Sequence, residues 1–188
     1  RDDISQAWLA PVRCYNMDVS TSISSYASIT RDDGYMKYVY TDSQGTHFDH
    51  YFEYVKSLRS KLPLHVFRFA SNPEHYSLTS HASLHDAWLE RYEVREPAEG
   101  ERKQYRQTEL QVCLLGPYHD RRIFLEYGEV QTYSVSSSNS ASGHGDLLVH
   151  EVRLEETGLL VHELQFVNGN MVVQCKDIRH RQEPYENA

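Results

Sequence analysis

Three residues in the C-terminal third of the chain could do chemistry together: His150, His162 and Cys175. An imidazole beside a thiol can activate it as a nucleophile, and two imidazoles with a thiolate can hold a soft metal ion. Whether they meet depends on two turns. Leu-Leu-Val-His-Glu occurs at 147–151 and again at 159–163, which looks like a repeat but is better explained by a hairpin. A three-residue loop, Glu156-Thr157-Gly158 with Gly158 in a left-handed bulge, sets Leu148 opposite Phe166, His150 opposite Leu164, Val152 opposite His162 and Leu154 opposite Leu160. A loop one residue shorter or longer would turn that apolar set toward Val161, Glu163 and Gln165. The next turn, Asn168-Gly169, predicts Phe166 opposite Met171, Leu164 opposite Val173 and His162 opposite Cys175.

Both hairpins thus bury one face, with the two histidines and Cys175 among Leu, Val, Phe and Met, and Asp177 at its end. Opposed side chains lie about 4.5–5.5 Å apart, so the three form a cluster. Core packing is the stronger reading of it. Cysteine behaves as a small apolar group, and a neutral histidine can use both ring nitrogens in buried hydrogen bonds. No catalytic residue is therefore assigned, and any metal site would use the same three side chains. The opposite face pairs Glu151 with Glu163 and, with Glu155 and Glu156, reads as an acidic binding surface.

Other candidates are plainer. His47, His50 and Glu53 fan through about 200° of helix, unlike the four-residue spacing of a zinc helix, and suit a solvated face. His81, His85 and Asp86 would need helix to gather, and Gly143-His144-Gly145-Asp146 reads as a flexible loop. No GxSxG, P-loop, GxGxxG, EF-hand or zinc-ribbon spacing is present.

The elements that must position these residues are those of one domain of 188 residues. Residues 1–35 read as an N-terminal arm before a single folded unit at 36–188. Phe48, Tyr51, Phe52, Val55, Leu58 and Leu62 make an apolar stripe, predicting a helix over 47–62 that is capped by Thr46 and stopped by Pro63. Residues 64–70 read as a short strand, as does the second half of 83–96, where Trp88, Tyr92 and Val94 share a parity. Strands at 109–115 and 122–135, a polar connection at 136–145 and the two hairpins complete the chain. The class expected is α+β: a predominantly antiparallel β-meander, as curled sheet, sandwich or partial barrel, with one amphipathic helix.

A net charge of −8 argues against a nucleic-acid binder, which needs a basic face. Between 126 and 163 seven acids face one base, Arg153, which suits a basic protein partner. Three cysteines without a CxxC pair suggest a reducing compartment and a cytoplasmic location, with no cofactor and no membrane segment. The last strand could offer an edge for homodimer pairing.

The segment Leu84-His85-Asp86-Ala87 resembles one in small bacterial β-rich proteins in which Leu-His-Asp-Ala opens a strand before a meander, some similar to immunity proteins of polymorphic toxins. The likeness spans the general pattern of 47–180. It implies a non-enzymatic protein-binding module of immunity or antitoxin type. Alternatives are a Cys/His metal-dependent enzyme using the inner cluster and a lipocalin-like binder of a small apolar ligand.

Overall fold

The computed structural model describes residues 36–138 and 141–185; the expected arm at 1–35, with Cys14, lies outside them. A small hairpin, β1 (Tyr40–Asp42) and β2 (Gly45–His47), leads into α1 (Asp49–Ser57), α2 (Leu64–Ala70) and a 3₁₀ turn at Pro73–Tyr76. Then come β3 (Trp88–Arg95), the short pair β4 (Ala98–Glu99) and β5 (Tyr105–Arg106), β6 (Glu109–Leu115), β7 (Arg121–Gly128) and β8 (Thr132–Ser137). The chain finishes with β9 (Leu147–Leu154), β10 (Leu160–Phe166), β11 (Gly169–Cys175) and β12 (Asp177–Pro184). The strands form two four-stranded antiparallel sheets, β8-β11-β10-β9 and β12-β7-β6-β3, so the class is α+β as expected.

Two strands turn from one sheet into the other. The expected return strand at 122–135 is β7 and β8, bent at Glu129, whose φ is 50°, and β11 bends into β12 at Lys176. Gln131 N–H to Gln174 O (2.8 Å) and Lys176 N–H to Gly128 O (3.1 Å) hold the corner. On the far side Asp86 N–H donates to Leu147 O (2.8 Å) and Leu147 N–H to Ala87 O (3.0 Å), beside a lone bridge between Trp88 and Asp146. Asp86 reaches this joint at a φ of 63°, a left-handed conformation that Asp tolerates better than most residues. The Leu84–Ala87 segment is thus a seam between the sheets, and the sheets stop short of a closed barrel.

Alternate residues meet inside: Leu110, Val112 and Leu114 of β6, Ile123, Leu125 and Tyr127 of β7, and Leu160, Leu164 and Phe166 of β10 are all buried. The first predicted hairpin register holds from Leu154–Leu160 to Val149–Gln165, with Gly158 at a φ of 82°. An irregularity after Gln165 then sets Leu147, instead of Leu148, opposite Phe166.

The second register is displaced by two residues. Val167 and Asn168 form the turn, so Phe166 faces Gly169, Leu164 faces Met171, His162 faces Val173 and Leu160 faces Cys175. The parity survives because the slip is even. Gly169 is needed for closeness, since a Cβ there would sit 2.1 Å from Ser136 O on β8. An irregularity between Leu89 and Arg91 likewise puts Trp88 on the opposite face from Tyr92 and Val94.

The helical region also departs from the expected 47–62. α1 has Phe48 as N-cap with no side-chain cap, and Thr46 pairs with Thr41 in the first hairpin. Tyr51, Val55, Leu58 and Leu62 are buried as the stripe requires. Residues 64–70 are helix, not strand. Val66, Phe69 and Ala70 fall at three- and four-residue steps and are buried, and Pro63 begins this helix, where a missing N–H is harmless.

Candidate functional site

His150 and His162 meet on the inner face, as the first hairpin demands. His150 Nδ1 lies 3.1 Å from His162 Nε2, and His162 Nδ1 lies 2.8 Å from the Tyr127 hydroxyl of the facing sheet. Burial drives the His162 ring down to about 3, helped by the Arg153 charge, and holds His150 well below its usual range. Both rings are neutral at ordinary pH. His150 Nε2 is buried with no hydrogen-bond partner among the described residues, so this chain of polar groups ends inside the protein.

Cys175 is not their partner. It stands opposite Leu160, and burial pushes its thiol up to about 12. A thiol that stays protonated is a poor nucleophile and metal ligand, and among the described residues no group of three His, Cys, Asp or Glu side chains is placed to hold a metal ion.

The predicted acidic surface is corrected at two of its four positions. Glu151 and Glu163 face each other but are buried. The Glu151 carboxylate accepts from the backbone N–H groups of Lys37 (2.6 Å), Tyr38 (3.0 Å) and Val39 (3.0 Å), and Arg153 bonds both Glu151 and Glu163. Elsewhere Lys37 lies 3.7 Å from Glu155, Lys176 2.5 Å from Glu129 and Arg181 3.0 Å from Glu126. The linear count of acids misled because Arg153 serves two of them and segments from outside 126–163 bring Lys37, Lys176 and Arg181 to three others.

Two further histidines, missed from sequence, join the first two around Phe69. Its ring lies 5.1 Å from that of His75, 5.0 Å from His180, 5.8 Å from His150 and 5.5 Å from His162. Beyond Phe69 opens a cavity of about 680 Å³ between α2 and β12, lined by His65, Arg68, Asn72, His75, His180 and Gln182 among others. Burial lowers His75 and brings His180 down to about 4. No spacing could have revealed this group, because its members come from a helix, a 3₁₀ turn and three strands.

A third cluster stands on the surface at the β6–β7 turn. His81 stacks on Tyr118 at 4.0 Å and the Trp88 ring meets His119 at 4.4 Å, while Trp88 is 49% and Tyr118 48% exposed. Asp120 fixes the arrangement by bonding His81 (2.7 Å) and Arg121 (3.1 Å); Arg121, with help from His81, holds its carboxyl at about 2. His119 sits at a φ of 55°.

The remaining candidates stay apart. His47 bonds Asp42 (2.9 Å), His50 and Glu53 are exposed, and His85 lies 3.0 Å from Asp86 at the seam. The His144 ring packs on Phe166 at 5.5 Å. No protein-family model, curated protein or solved structure matches the chain. Among the described residues no helix is long and apolar enough to cross a membrane.

Proposed function

We propose that the protein is a non-enzymatic module that binds another protein through the aromatic tip at the β6–β7 turn. The observation that carries this reading is the fixed exposure of Trp88 and Tyr118, each held by a histidine ring. Trp and Tyr bury large areas at low entropy cost, and side chains already held in place lose little freedom on binding. The immunity- or antitoxin-like role implied by Leu84–Ala87 accords with it. The neutralised acids give no reason to require a basic partner.

Pull-down from the native host with wild type and with the Trp88→Ser/Tyr118→Ser pair tests this. The expected result is a partner retained at least tenfold better by the wild type and little affected by added salt. Equal recovery by both proteins would sink the reading, and steep salt sensitivity would assign binding to charges elsewhere.

A further inference from the structure

The cavity between α2 and β12 is independent of the aromatic tip, and its walls and rim differ in chemistry. Phe69 is its buried floor. His75 and His180 are held as neutral rings by identifiable bonds. A carbonyl can only accept, so His75 Nδ1 donates to Phe69 O (3.0 Å) and its Nε2 accepts from Asn72 Nδ2 (3.2 Å). The orientation of that amide is set by Glu74 N–H, which donates to Asn72 Oδ1 (3.2 Å). Gln182 does the same for His180. Its Oε1 accepts from Arg121 (3.1 Å), so its Nε2 faces Ala82 O (3.4 Å) and donates to His180 Nε2 (3.3 Å).

The His180 ring stacks on Phe69 at an interplanar angle of 26°, and His75 meets His180 edge-on at 4.6 Å. These rings are flat, uncharged walls. The rim is cationic. Arg68, in the last turn of α2, has no ion-pair or hydrogen-bond partner among the described residues. Arg179 commits its Nε to Asp177 (3.1 Å), which also holds His65 (2.5 Å), leaving the terminal guanidinium nitrogens of Arg179 uncommitted among the described residues. Among the described residues no carboxylate lines the cavity.

We infer that this cavity binds a small aromatic carboxylate, its ring against Phe69 and His180 and its carboxylate at Arg68 and Arg179. The volume is within the range of small-molecule sites, and a planar guanidinium matches a carboxylate through paired hydrogen bonds. Aliphatic anions and bare phosphate would satisfy the rim and leave the aromatic walls unused.

The test is a titration of the isotopically labelled full chain followed through its histidine ring resonances. Benzoate is the probe, against benzyl alcohol, cyclohexanecarboxylate and inorganic phosphate. Benzoate is expected to give saturable shifts at His75 and His180 below about 10 mM, with the other three at least tenfold weaker. Arg68→Gln should weaken benzoate about tenfold, the loss of one charge-assisted contact, with an unchanged melting midpoint because Arg68 is exposed. Absence of saturable shifts, phosphate or cyclohexanecarboxylate binding as well as benzoate, or unchanged affinity in Arg68→Gln would each overturn the inference.

Discussion

Strands β9 and β10 carry polar groups into the protein on both faces, and the two faces solve the cost of burial differently. On the inner face His150 and His162 give up charge: the rings are neutral, bonded to each other and to Tyr127. On the outer face Glu151 and Glu163 lie on either side of Arg153, with three backbone N–H groups completing the shell around Glu151. A carboxylate pair needs a cation, whereas an imidazole has a neutral form within easy reach of physiological pH. One face is therefore stable by neutrality and the other by pairing.

The largest expected effect comes from removing the cation. Arg153→Met leaves two opposed buried carboxylates and should cost about 3–5 kcal/mol in denaturant unfolding at pH 7.5. Burial already raises Glu163 against the opposing pull of Arg153, so in the variant a carboxyl should keep its proton when folded. Such a group stabilises the fold in acid and loses that contribution as pH rises. The deficit should then shrink toward pH 5, and a pH-independent deficit would contradict the pairing account.

The buried histidines predict the opposite dependence. Unfolded histidines bind protons near pH 6.5, while folded His162 does so at about 3 and His180 at about 4. The unfolded state then takes up more protons as pH falls. The stabilising contribution is complete above about pH 6.5 and is lost progressively below it, by up to about 1.4 kcal/mol per pH unit for each ring. His162→Gln should remove about one ring's worth of that slope, measured as unfolding free energy from pH 7.5 to 4.5. An unchanged slope would mean that His162 is already charged in the folded protein.

The smallest effect tests how the sheet edge beside both faces is closed. Tyr54 accepts from Leu154 N–H (2.9 Å) and donates to Leu154 O (3.3 Å), and Tyr51 accepts from Val152 N–H (3.1 Å). These hydroxyls satisfy backbone groups on the unpaired side of β9. Tyr54→Phe should cost about 1 kcal/mol and speed amide exchange at Leu154 without altering either pH dependence. A change in the acid slope would show that edge and face are coupled.

The accuracy of the sequence reading followed the range of the interactions. Gly158 and the alternation on both sides of it defined the β9–β10 register, because hairpin pairing is local and a one-residue slip would bury the wrong face. Asn168-Gly169 placed the next turn one residue late and its pairing two residues out of register, since an even slip in pairing keeps the same side chains inside and the pattern cannot detect it. The contact that requires glycine comes from Ser136, on a strand more than thirty residues earlier. Leu64–Ala70 was misread because seven residues hold too few periods to separate helix from strand. The candidate site was legible in part: His150 and His162 were placed together, Cys175 was placed opposite the wrong partner, and His75 and His180 were invisible.

The sequence by itself determined the antiparallel β-rich class, the face on which His150 and His162 are buried and the apolar stripe of the first helix, all consequences of side-chain period and short turns. Tertiary structure decided the rest. Which acids meet bases, which turn residue must be glycine, and which four histidines share Phe69 depend on segments far apart in the chain, and no local pattern encodes the distances between them.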